Sequence, residues 1–139
     1  MLTVMAPRGT WSEDELSTPF GAEGLTGELI GLSDGDPLGE IVVAACEAQG
    51  VQPVYHTVVQ TYQIARSLVE AGAGLAVLDP FTAASADPAK VQCRPWSPAM
   101  PVHLYLLSAS HSPLSHGARE LANCIGATAR ACLEKASAS

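Results

Sequence analysis

The residues best placed for chemistry in this 139-residue chain are polar ones at three points where an extended run gives way to a helical pattern. They are Ser33-Asp34-Gly35-Asp36-Pro37, the stretch from Thr57 to Thr61, and Asp79-Pro80-Phe81-Thr82. At a helix start the first N–H groups have no intrahelical partner and the dipole is positive, so Gln60 and Thr61 could receive a carboxylate or another anion. The two aspartates of the first stretch would repel an anion and suit an ammonium group. Each stretch also has a plain reading: a solvated cap at Asp34 and Asp36, a cap at Gln60 or Thr61, and a short helix started by Asp79-Pro80.

Other chemistries lack their signatures. The chain has no nucleophile elbow, phosphate loop or paired-histidine metal spacing, and Gly72-Ala73-Gly74 follows a helix, the wrong place for a dinucleotide fingerprint. His111 and His116 lie five residues apart at a helix start and so fall on different faces, as surface or capping side chains. No catalytic residue, metal or cofactor is expected, and an enzyme is disfavoured. Cys46, Cys93, Cys124 and Cys132 form no CxxC pair and sit mostly in apolar helical patterns, which predicts buried thiols in a reducing compartment. A net charge of −7 with only seven scattered Lys and Arg opposes direct nucleic-acid binding. With no signal-peptide pattern and no bilayer-length apolar run, a cytoplasmic location is expected.

The elements that would position these residues centre on Val51 to Thr82. Val51, Val54, His56 and Val58 read as a half-buried strand. Ile64, Ala65, Leu68, Val69 and Ala71 then recur at helical spacing, Gly72 and Gly74 end the helix, and Leu75 to Leu78 reads as a strand covered on both faces. Strand, crossover helix and strand make a right-handed βαβ unit in a mainly parallel sheet, whose usual ligand crevice lies outside the strands' carboxyl ends. Before this unit come a strand at Leu2, Val4 and Met5, an exposed loop from Pro7 to Glu23 anchored by Trp11 and Phe20, and a short strand around Leu29 to Leu32. A helix follows, with Leu38, Ile41, Val42, Ala45 and Cys46 on its apolar face. After the unit come a short helix and loop, a strand over Val91 to Arg94, a proline-rich connection and a buried strand over Val102 to Leu107. A last helix is opened by Ser112-Pro113 and striped by Ala118, Leu121, Ala122, Ile125, Ala129 and Cys132.

The run TYQIARSLVEAGAGLAVLDPFTA resembles the effector-binding domain of LysR-type transcriptional regulators, in which a helix ends in a glycine pattern of this kind, followed by a proline. LTVMAPRG, LTGELIGLS, DPLGEIVVAACEAQGVQPVYHTV and RPWSPAMPVHLYLLSASHSPLSHGAREL are similar to the family's flanking segments, so essentially the whole chain is covered. The resemblance implies an α/β fold of the periplasmic-binding-protein type II class. It assigns residues 1–108 to the second effector-binding subdomain and residues 109–139 to a C-terminal helix that returns to a first subdomain absent here. It implies a fragment without the DNA-binding helix-turn-helix and without the opposite wall of the ligand cleft. The family's effector contacts fall on Asp34, Asp36, Leu38, Val59, Gln60, Thr61, Asp79 and Phe81. The expected function is effector sensing and dimerisation in a bacterial transcription regulator, with a small anionic or zwitterionic effector, a homo-oligomeric assembly, and DNA reached only through the absent domain. The rival expectation is a cytoplasmic binding module or enzyme subunit of the same fold with no link to DNA.

Overall fold

A computed structural model describes residues 1–109, 111 and 113–137, the last three by backbone alone. β1 (Thr3–Pro7) lies inside a five-stranded sheet ordered β3-β2-β4-β1-β5. The other strands are β2 (Leu29–Leu32), β3 (Tyr55–Val59), β4 (Leu75–Leu78) and β5 (Val91–Pro95). β2 pairs in parallel with β3 and β4, while β1 is antiparallel to β4 and β5. Four of the five strands therefore point the same way and β1 alone opposes them, so the sheet is mainly parallel in direction. With neighbours on both sides, Val4, Met5 and Ala6 are fully buried.

Strand alternation sends successive side chains of β1 to opposite faces and so creates two cores. Val4 and Ala6 join Trp11, Phe20, Leu29, Trp96 and the buried residues of α2 (Pro37–Glu47), Val42 and Cys46. Met5 joins Ile30, Ala76, Leu78 and the buried residues of α3 (Tyr62–Glu70), Ala65 and Val69. The connection from β2 to β3 steps outward across the sheet, and that from β3 to β4 steps back past β2. Right-handed crossovers travelling in opposite directions must use opposite faces, which is where α2 and α3 lie.

The expected loop from Pro7 to Glu23 is more ordered than its composition suggests. It contains α1 (Glu13–Leu16), closed by a Ser12/Glu15 capping box, and a 3-10 turn at Ala22–Gly24. Trp11 and Phe20 anchor it, with ring centroids 5.4 Å apart. The Arg94 guanidinium lies 5.3 Å from the first ring and 5.0 Å from the second, and it donates to the Thr18 and Pro19 carbonyls and the Thr18 hydroxyl. Desolvated stacking of this kind holds the loop onto β5.

Several expectations are corrected. β3 begins at Tyr55 rather than Val51, because the Val51 N–H is drawn back to the Cys46 carbonyl (2.9 Å) and Pro53 has no N–H to pair. Val102 to Leu107 is neither a strand nor buried: Leu104 is 62% and Leu107 90% exposed. Val102 alone of this run is half-buried, packed against the α2-side core, and the rest pairs with neither edge of the sheet. The last helix, α5 (His116–Ser137), starts after the Ser115 hydroxyl, which accepts from the Ala118 N–H; Ser112 lies outside the described residues. α5 packs on α4 (Pro80–Ala84) and leaves Leu121 and Ile125 of its expected stripe exposed. Ile41 and Ile64 are likewise exposed instead of buried on their helices. Of the four thiols only Cys46 is buried; Cys93 and Cys124 are exposed and Cys132 is half-buried.

Gly72 and Gly74 separate α3 from β4, and the two positions differ in kind. Both have positive φ, but a Cβ at Gly72 meets open space, whereas one at Gly74 would overlap the Glu28 carbonyl oxygen. Gly72→Ala should therefore cost about 1 kcal/mol of backbone strain. Gly74→Ala should cost at least about 2 kcal/mol, because strain and overlap with the backbone just before β2 add. Urea unfolding of the two variants checks the order.

Candidate functional site

The carboxyl ends of β2, β3 and β4 deliver the starts of α2, α3 and α4 to one rim of the sheet. The Ser33 N–H donates to the Val59 carbonyl (2.9 Å) and so joins the first two junctions. Each helix is capped by its own sequence. Asp36 Oδ2 accepts from the Gly39 N–H at 2.6 Å, with Pro37 at the first turn, where its missing N–H costs nothing. Thr61 Oγ1 accepts from the Ile64 N–H at 3.3 Å. Asp79 Oδ1 accepts from the Phe81 and Thr82 N–H groups at 2.9 and 3.0 Å, and its Oδ2 accepts from the buried Thr82 hydroxyl at 2.5 Å.

The junctions are tied by a residue that the sequence reading passed over. Tyr62, the first residue of α3, donates its hydroxyl to Asp36 Oδ2 at 2.5 Å. Burial, the Asp36 hydrogen bond and the nearby Asp36 and Asp79 charges all raise the Tyr62 phenol far above its ordinary value. Burial also raises Tyr55. The one available signal was an aromatic side chain directly after a cap, on a helix whose first turn has no acid. A cavity of about 20 Å³ lies behind this tie, lined by Gly31, Asp36, Leu38, Tyr55 and Tyr62 among others. That is about the space of a single water and too little for a ligand, so any ligand must approach from the open rim.

The eight expected contact residues fall on this rim but do not form a closed pocket. Asp34, Gln60 and Thr61 are exposed; Asp36, Leu38, Val59, Asp79 and Phe81 are half-buried. The carboxylates of Asp36 and Asp79 are spent on caps, as the plain reading holds, while α3 carries only the neutral Thr61 cap. His111 and His116 are exposed and lie in and after the 101–115 connection. Among the described residues no group of His, Cys, Asp and Glu could hold a metal ion, and no helix is long and apolar enough to cross a membrane.

A model of the LysR substrate binding domain family matches residues 3–130. The chain belongs to this family. The fold agrees with solved LysR-type regulators: it matches the reduced OxyR regulatory domain from Pseudomonas aeruginosa with a TM-score of 0.53 and 24% identity, over 70% of this chain and 46% of that one. It matches HinK, a LysR family transcriptional regulator from the same organism, with a TM-score of 0.55 and 19% identity, over 88% of this chain and 42% of that one. The LysR-type chain thus spans about half the length of these structures. A comparison with curated proteins gave no match. The family is one of regulator effector-binding domains rather than of enzymes, and the fold is of the periplasmic-binding-protein type II class.

The Tyr62–Asp36 bond gives a pH dependence whose sign is fixed. A phenol whose folded value is raised above the unfolded 10.0 keeps its full contribution below pH 10 and loses it as pH rises further. Tyr62→Phe should cost about 1 kcal/mol at pH 7 and flatten the loss of stability above pH 10. Thermal melts of both proteins across pH 8 to about 11 make the comparison.

Proposed function

We propose that this chain supplies one wall of the effector cleft of a LysR-type transcription regulator and that the effector is a small zwitterion. The observation that carries this is the meeting of three helix N-termini at one rim with unequal compensation. α2 and α4 have carboxylate caps, whereas α3 has a neutral one and so offers the least compensated positive end to a carboxylate. Asp34 beside it provides for an ammonium group, with Asp36 holding the starts of α2 and α3 together, and Leu38, Val59 and Phe81 provide apolar contact. Gln60 and Thr61 are assigned to the carboxylate end and Asp79 to holding Phe81 in place. Amide-shift titrations with free amino acids and with matched simple carboxylic acids test this. Amino acids should shift Gln60, Thr61 and Asp34 together, and carboxylic acids acting equally well would overturn the zwitterion reading. In the complete regulator, Thr61→Val should weaken the response by about 1 kcal/mol, and Thr61→Ser, which keeps the hydroxyl, should restore it.

The cleft needs a second wall, and the distribution of exposed apolar residues supports one. Leu104, Tyr105, Leu106, Leu107, Leu114, Leu121 and Ile125 are all exposed and all fall after the last strand. Leu114, Leu121 and Ile125 belong to the surface that residues 109–139 would bring to a first subdomain, and Leu104 to Leu107 lead into it from residues 1–108, which would form the second. β3 is an open sheet edge that exposes its own Val58, with Val54 exposed just before it, which suits assembly into a homo-oligomer. DNA would be reached through a helix-turn-helix domain outside this chain, in the cytoplasm. Leu121→Asp combined with Ile125→Asp should lower the mass seen by light scattering at micromolar concentration. Unchanged mass and melting temperature would count against a covered face.

A further inference from the structure

The other end of α2 borders a second concave surface. The Pro19–Glu23 loop, the last turn of α2 and the Ser97–Met100 connection enclose an open groove of about 560 Å³. That is the size of a small-molecule site rather than of a protein interface. Its floor is apolar, from Ala45, Ala48, Pro98 and Met100, and its polar lining includes Glu23 and Gln49 but no basic residue.

The charge of this groove is one-sided in two independent ways. The end of α2, whose Ala45, Ala48 and Gln49 line the groove, has no basic residue in its last turn to offset the negative end of the helix dipole. The Glu23 carboxylate folds back over Gly21 so closely that a Cβ there would overlap it, and among the described residues no cation pairs with it. A helix C-terminus and an unpaired carboxylate beside an apolar trough make a complementary surface for a positive head on a short hydrocarbon stem.

We infer that this groove is a binding site for a small aliphatic amine, with its ammonium on Glu23 and the α2 C-terminus and its methylenes along Pro98, Met100 and the α2 alanines. The α2 end of the groove lies about 16 Å along the helix from its start at the rim, while Met100 runs back toward that side, its carbonyl accepting the Leu2 N–H. The site stands whether or not the rim takes a zwitterion.

The test is an amide-shift titration of the intact chain with butylammonium, with butyrate and ammonium chloride at matched ionic strength as controls. Butylammonium should give saturable shifts at Glu23, Ala48 and Gln49 that neither control reproduces. Glu23→Gln should weaken the apparent Kd by about threefold or more, the scale of one solvent-facing charge pair. Gly21→Ala should act in the same direction without removing a charge. Gly21 has φ of −89°, so alanine fits the backbone and only the Glu23 side chain must move away. Equal shifts with butyrate, an unchanged titration in Glu23→Gln, or butylammonium shifts confined to Asp36 and Thr61 would each overturn the assignment.

Discussion

Because a twisted strand accepts a crossover helix in only one hand, the connections leaving β2 and β3, which run in opposite directions across the sheet, have to depart by opposite faces. The geometry of the candidate rim follows from that divergence. α2 and α3 part company just beyond the carboxyl ends of adjacent strands, and the gap between their first turns is where a ligand can approach main-chain N–H groups. The same divergence splits the apolar side chains into two cores. The central antiparallel strand β1 then has to serve both, with Val4 turned to one and Met5 to the other.

The rim is stiffened by its own electrostatics. Asp36 and Asp79 each spend their charge on the helix that follows, and Asp36 in addition accepts the Tyr62 hydroxyl, so two helices from opposite faces are fastened to one carboxylate. A charge-assisted bond in a partly desolvated place is worth more than a surface contact, and it fixes geometry as well as energy. What is left over at the rim is the neutral start of α3. At the far end of α2 the balance is opposite, with acid left where a helix favours base. One helix thereby joins two surfaces of different charge preference.

The two ends of the chain are uneven in how well they are covered. The first hundred residues close their sheet with helices and with a loop pinned by Arg94, Trp11 and Phe20. After Val102 the large apolar residues from Leu104 to Leu107, with Leu114, Leu121 and Ile125, face outward, and α5 touches the rest mainly through α4. An apolar run of this length gains nothing from hydrophobic burial unless another surface removes it from water. The chain spans about half the length of the related solved chains.

Local sequence determined a good deal by itself. Thr61 and Asp79 as caps, Gly72 and Gly74 as the end of α3, the alternation of β1 and the glycine pattern that marks the family all depend on neighbours a few residues away. The tertiary structure alone decided the rest. Val102 to Leu107 has the pattern of a buried strand, but pattern cannot supply the neighbouring strand that burial requires. Ile41, Ile64, Leu121 and Ile125 sit at helical spacing with residues that are more covered, yet which edge of an apolar stripe meets a partner depends on how the helix rolls on the sheet. The Tyr62–Asp36 tie spans 26 residues and two faces of the sheet, and no local propensity encodes it. Short-range geometry is written in residue order, whereas a contact between distant segments exists only once the topology has brought them together.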